Sequence, residues 1–263
     1  MKLRGFTKVT VKTYLEKNKL FLNFIKKEPK DVIEQDVKKY IVALMEKGRK
    51  PTTISLNISA LKFFYENILK KKFTEIKPPK QEKKIPTILT KDEIKRLIDT
   101  VENEKHKLLI EFLYSSGLRV SEAVSIKIND LNLDEKIGKV IAGKGKKDRW
   151  IILSESLIKH LKEYLAKSKK ESEFLFPGLY AKEHLSTRMA QRIVSDNAKK
   201  AGIKKRVFCH ALRSSFATHL LESGTDIRVI QTLLGHVSIS TTEKYTKVST
   251  EMIKKVKSPL DNL

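Results

Sequence analysis

Residues 77–86, KPPKQEKKIP, put three prolines and four lysines into ten positions and offer almost nothing apolar to bury. No hydrophobic core runs through such a stretch. Pro78-Pro79 hold the backbone extended and the lysines keep their water. The 263-residue chain is therefore expected to divide into a small N-terminal domain, residues 1–76, a linker, 77–86, and a larger domain, 87–263. Each part must close a core of its own.

The smaller part reads as helical throughout. Val11, Tyr14, Leu15, Leu22 and Ile25 recur near a helical period within residues 7–27. Val32, Val37, Tyr40, Ile41 and Leu44 repeat the pattern over 31–47, and Gly48 stops it. Pro51 suits a helix start, and Leu56, Ile58, Leu61, Phe64 and Ile68 form the apolar face that follows.

The larger part mixes helices with one interruption. Thr90-Lys91-Asp92-Glu93 is a capping box, and a second helix over 105–116 ends at Gly117. Arg119 then stands at a helix start, with Glu122 just inside. Residues 131–153 break the period of 3.6. Ile137, Val140-Ile141 and Trp150-Ile151-Ile152 are strand-like and flank Gly143-Lys144-Gly145-Lys146-Lys147, which predicts a hairpin with a basic turn. The turn is not a phosphate-binding P-loop, since the spacing of that motif and its following helix are both missing. Helices over 155–167 and 185–201 flank the apolar turn Phe174–Gly178. Two more run over Phe208–Leu221 and from an Asp226 cap to Leu234, where Gly235 ends the second. A short helix from Thr241-Thr242 carries Tyr245, and residues 249–263 form an amphipathic tail with Met252, Ile253 and Val256. The predicted class is mainly α with a small β-sheet or hairpin, in two domains.

Charge narrows the partner. Fifty-five Lys and Arg stand against 31 Asp and Glu, a net charge of +24. Residues 1–86 hold 22 of the basic and 9 of the acidic residues, so both parts are basic. A polyanion fits this balance, nucleic acid before an anionic membrane surface. No apolar run approaches 18 residues and no signal peptide opens the chain, so a cytoplasmic, nucleoid-associated protein with no membrane partner is expected. The single Cys209 excludes an intramolecular disulfide. Without a second Cys/His pair at ligand spacing, neither metal nor cofactor is expected, and Cys209 reads as a small buried residue.

Attack on a phosphodiester without metal requires a nucleophile, cationic donors for the non-bridging oxygens and an acid for the leaving oxygen. Tyr245 suits the first role, Arg119 and Arg213 the second, and Lys144 the third. His210 and His236 suit proton handling and further hydrogen bonds. Read singly, each has an ordinary explanation: a tyrosine on a helix packs, and a histidine beside a helix end caps it.

Taken together they form an ordered set. Gly117-Leu118-Arg119-Val120-Ser121-Glu122, Gly143-Lys144-Gly145, His210-Ala211-Leu212-Arg213 with Ser215-Phe216-Ala217-Thr218-His219, Leu234-Gly235-His236 and Thr241-Thr242 before Tyr245 follow one another along the chain. The sequence resembles a tyrosine recombinase, most closely of the Xer type, from about Thr7 to Val248. The resemblance implies a two-domain clamp on double-stranded DNA, with a helical core-binding domain and a mixed α/β catalytic domain. It implies that Arg119, Lys144, His210, Arg213 and His236 surround the scissile phosphate and that Tyr245 becomes joined to a 3′-phosphate. Glu122 matches an acidic residue that supports the active-site arginine. Four protomers would exchange strands through a Holliday junction and trade C-terminal helices, here residues 249–263. An accessory DNA translocase is a further partner of that type. Ser214 departs from the many bacterial members that have His there, outside the six-residue set. Residues 1–6 leave no room for an arm-binding domain, which favours the resolution of chromosome or plasmid dimers over a mobile-element integrase. A topoisomerase that reseals the same strand, and a basic DNA-binding protein with a decayed site, are the rival readings.

Overall fold

The computed structural model describes residues 5–73, 75–80, 86–141, 148–168, 172–180 and 182–235. The chain separates into two compact units, Met1–Lys84 and Ile85–Leu263.

In the first unit, helices α1 (Lys8–Ile25), α2 (Glu34–Glu46) and α3 (Pro51–Asn67) pack around one core. The Thr7 hydroxyl caps α1 by accepting from the Thr10 N–H, and Pro51 opens α3. Phe21 is fully buried at the centre, edge-on to Tyr40 at 5.3 Å and Tyr65 at 6.1 Å. Periodicity finds part of this core, Val32, Val37, Tyr40, Ile41, Ile58 and Leu61 among it, and misplaces the rest. Leu15 is 62 % exposed, and Leu56 and Ile68 also face outward, while Ile54, Ile58, Leu61 and Tyr65 form the buried stripe of α3. Several registers satisfy a helical period when apolar residues are this frequent, and packing selects one of them. Asp36 is buried near the start of α2. Its carboxylate accepts from the Ile33 N–H at 3.0 Å and takes both oxygens to Lys27 Nζ at 2.9 Å.

The second unit contains α4 (Lys91–Asp99), α5 (Glu104–Ser116), α6 (Val120–Ser125), α7 (Glu155–Lys167), α8 (Thr187–Lys200), α9 (Cys209–Glu222) and α10 (Ile227–Leu234). Strands β1 (Leu131–Asn132), β2 (Ile137–Val140) and β3 (Arg149–Ile152) lie between α6 and α7 as an antiparallel sheet in the order β1-β2-β3. Gly138 pairs with Ile151 and Lys139 with Trp150. The expected hairpin is therefore present, and its turn, with Lys144, lies outside the described residues. The capping box at Thr90 and Glu93 forms, and Phe174–Gly178 buries Leu175 and Phe176.

Helix α5 is the hub. Leu108, Leu109, Ile110, Phe112 and Leu113 are all buried on it, each contributing about 1.5–3 kcal/mol by leaving water. Helix α9 packs against it, and its middle is enclosed, with Ala211 through Ala217 buried without a break. Small residues make this close fit possible. The segment that enters the unit is tied to α9 by the Leu89 N–H, which donates to Ser215 Oγ at 2.9 Å, and to the loop before α9 by Lys205 Nζ, which donates to the Ile88 carbonyl at 3.0 Å.

Candidate active site

The site is built where α5, α6, β3, α9 and α10 end or begin. Gly117 ends α5 in the left-handed region at φ 60°, and Leu118 is fully buried behind it. The chain turns at once into α6, for which Arg119 is the N-cap residue. Glu122, one turn in, reaches back. Its carboxylate accepts from the Arg119 N–H at 2.9 Å and from Arg119 Nη1 at 2.8 Å.

A second arginine completes this arrangement. Arg149, the first residue of β3, forks onto the same carboxylate through Nη1 at 3.0 Å and Nη2 at 2.5 Å. The side chains of Arg149 and Glu122 are each only 7 % exposed. Burial pushes the Glu122 carboxyl upward, but the Arg149 fork, the Arg119 N–H, the charge of Arg149 and the hydrogen bond from the Arg119 guanidinium outweigh it and hold the group below the ordinary glutamate range. Glu122 is thus an anion that fixes two cations.

Arg213 lies on α9 and is 1 % exposed. It donates from Nη1 to the Gly117 carbonyl and from Nη2 to the Leu234 carbonyl, both at 2.7 Å. The end of α10 is held by all three arginines. The carbonyls of Leu233, Leu234 and Gly235 accept from Arg149 Nε at 2.9 Å, Arg213 Nη2 at 2.7 Å and Arg119 Nη2 at 3.3 Å. The last carbonyls of a helix lack intrahelical partners and carry the negative end of its dipole, so guanidinium donors suit them. Gly235 closes α10 at φ 62°, and a β-carbon there would stand 2.8 Å from Arg149 Cδ.

Arg119, His210 and Arg213 border one surface cleft, together with Leu118, Gln191 and Phe208. His210 and Arg213, three apart on α9, both border the cleft, and since His210 is exposed while Arg213 is buried they meet it at different depths. Helix α9 starts at this cleft, and its N-cap residue, Phe208, supplies no side-chain cap. A cleft with guanidinium, imidazole and a helix N-terminus is suited to a phosphate. Cys209 is buried, and loss of solvation pushes its thiol up to about 12, so it stays an inert thiol. Ser214 is fully buried, with a hydroxyl that has no partner among the described residues.

Of the six residues expected to act on the phosphate, the structure brings Arg119, His210 and Arg213 together, with Glu122 behind Arg119. Lys144, His236 and Tyr245 lie outside the described residues. Arg149 was not anticipated. The sequence signal was its parity: Arg149 and Ile151 share the inward face of β3, and Trp150 points out, 58 % exposed. Hydrophobicity suggests the reverse. No group of three or more His, Cys, Asp or Glu capable of holding a metal occurs among the described residues.

Known proteins resemble this chain along nearly its whole length. Residues 87–252 match the phage integrase family, and residues 1–75 match the N-terminal SAM-like domain of phage integrases. Tyrosine recombinase XerA of Pyrococcus furiosus is 38 % identical over 259 residues, covering 97 % of this chain and 88 % of that one. Tyrosine recombinase XerC of Staphylococcus epidermidis is 34 % identical, covering 96 % and 91 %. Among solved structures, that of XerA recombinase aligns with a TM-score of 0.59 at 34 % identity, over 97 % of this chain and 92 % of that one. XerH bound to a palindromic difH substrate after cleavage gives 0.80 at 23 % identity, over 98 % and 82 %, a likeness of fold.

Proposed function

Because this chain belongs to the phage integrase family, as a tyrosine recombinase of the Xer type, we propose that it cuts and rejoins DNA strands at a dif-like site and resolves chromosome or plasmid dimers. The observation that carries this reading is the cleft where Arg119, His210 and Arg213 converge at the start of α9, with Glu122 fixing Arg119. Guanidinium groups at that position neutralise the charge that builds on the non-bridging oxygens as phosphorus becomes five-coordinate.

In this reading the Tyr245 hydroxyl loses its proton and attacks phosphorus. The bond to the 5′-oxygen breaks, and Lys144 supplies the proton that this oxygen needs. The product is a 3′-phosphotyrosine and a free 5′-hydroxyl. The 5′-hydroxyl of a partner strand then attacks the phosphotyrosine, releasing Tyr245 and restoring a phosphodiester. One ester is exchanged for another, so neither ATP nor a metal is required. Four protomers on two synapsed sites, with residues 249–263 docked between neighbours, would carry the exchange through a Holliday junction. XerH, a fold neighbour, has been solved on a difH substrate, which supports a dif-like target here.

The test is a nicked duplex carrying a dif-like site, from which the 5′-hydroxyl diffuses away after cleavage. Wild-type protein is expected to leave a protein–DNA adduct that survives denaturation, and Tyr245→Phe to leave none. An adduct with Tyr245→Phe, or none with wild type, would sink the mechanism.

A further inference from the structure

We propose that Arg149 is a positioning residue for strand cleavage, setting the aim of Arg119 through Glu122 while anchoring the end of α10; this rests on the recombinase reading above.

Arg149 does not border the cleft that Arg119, His210 and Arg213 share, and its side chain is 7 % exposed. It is therefore placed to act through other groups rather than on DNA. Its donors are divided between two tasks. Nη1 and Nη2 take both oxygens of Glu122, and Nε takes the Leu233 carbonyl. A planar fork with a third donor at its base performs both at once, which an ammonium group cannot.

The consequence for Arg119 follows from charge. Glu122 is buried between two guanidiniums, and each pulls on the same carboxylate. With Arg149 in place, the carboxylate is held from one side and Arg119 is held from the other, leaving its Nη2 directed to the Gly235 carbonyl. Without Arg149, Arg119 is the sole partner among the described residues for a buried anion. It is then drawn onto Glu122 and away from the phosphate position. The Leu233 carbonyl would also lose its donor, loosening the helix end that Arg213 and Arg119 grip. The fit around Arg149 is close, since any side chain at Gly235 would collide with its Cδ at 2.8 Å.

Four proteins test this on the nicked duplex: Arg149→Met, Arg149→Lys, Glu122→Gln and the double variant Arg149→Met with Glu122→Gln. Binding to the intact duplex and the single-turnover rate of adduct formation are measured for each. Arg149→Met is expected to bind within about threefold of wild type and to form adduct on the order of 10- to 100-fold more slowly, the usual range for groups that orient an active residue. Arg149→Lys, which keeps the charge but not the fork, should fall between the two. The double variant should be no slower than Arg149→Met, because removing the anion frees Arg119 again. Equal adduct rates in Arg149→Met and wild type overturn the proposal. So do multiplying effects in the double variant, or a loss of binding in step with the loss of adduct, as general unfolding gives. If Arg149→Met does not fold, Arg149→Lys decides: a wild-type rate overturns the proposal, and a slowed rate with intact binding supports it. Absence of adduct from wild type overturns the recombinase reading itself, which is a distinct result.

Discussion

Gly117 meets two demands at one backbone position. Its φ of 60° is one that side chains with a β-carbon adopt at a cost, and a β-carbon would stand 2.3 Å from Phe216 Cδ1. Its carbonyl also accepts from Arg213 Nη1 at 2.7 Å. Gly117→Ala should therefore destabilise the protein by about 1–3 kcal/mol, through strain and the displaced ring, as thermal denaturation would show. It should also slow adduct formation, since the carbonyl that seats Arg213 must move with the turn. An unchanged melting temperature would mean that Phe216 yields without cost. Arg119, His210 and Arg213 were legible only together, as members of an ordered set that resembles a tyrosine recombinase. Arg149 was not legible, because its partner lies 27 positions away and only the fold joins them.

At the scale of elements, the contact between α5 and α9 holds the helix that carries His210 and Arg213 in place, and it includes a titratable pair. Tyr114 Oη and His219 Nδ1 are 2.9 Å apart in a partly buried contact. Loss of solvation lowers the His219 pKa, with Lys91 adding to the fall and Glu222 and the Leu89 backbone opposing it. The folded state thus favours neutral imidazole. The stability this pair contributes is present above the unfolded value of about 6.5 and is lost as pH falls through the lower folded value. Wild type should lose stability in denaturant titrations as pH falls below about 6.5, and His219→Gln should lose less over the same range. An identical slope for the two would rule out His219 as the source. The helices themselves were readable from caps at Thr90, Gly117, Asp226 and Gly235. The buried face was readable on α2, through Val37, Tyr40 and Ile41, but not on α1, where Phe21 is buried and Leu15 exposed.

For the whole molecule, a net charge of +24 distributed over both parts of the chain predicts a grip on DNA dominated by phosphate contacts. Each phosphate neutralised releases counterions. If about 6–10 are contacted, affinity should drop on the order of 10³–10⁵-fold between about 50 and 200 mM salt. A nearly flat response in a filter-binding or anisotropy titration would exclude that mode. Residues 249–263 have a separate place in the proposed assembly. Their deletion should leave binding to a single site largely intact and impair pairing of two sites, as measured by the mass of the complexes formed. Full recombination by the truncated protein would remove the tail from the mechanism.

Local order was already written into the chain. Caps and glycine stops mark where several helices begin and end, because they act through the backbone of a few neighbouring residues. The ordered set of Arg119, His210 and Arg213 likewise marked the chemistry in advance. What only the tertiary structure decided is how those groups are held. Three arginines from α6, β3 and α9 converge on the carbonyls of Leu233, Leu234 and Gly235, and one buried carboxylate, Glu122, fixes two of them. The physical reason is reach: a hydrogen bond forms between atoms about 3 Å apart in space, whatever their separation along the chain.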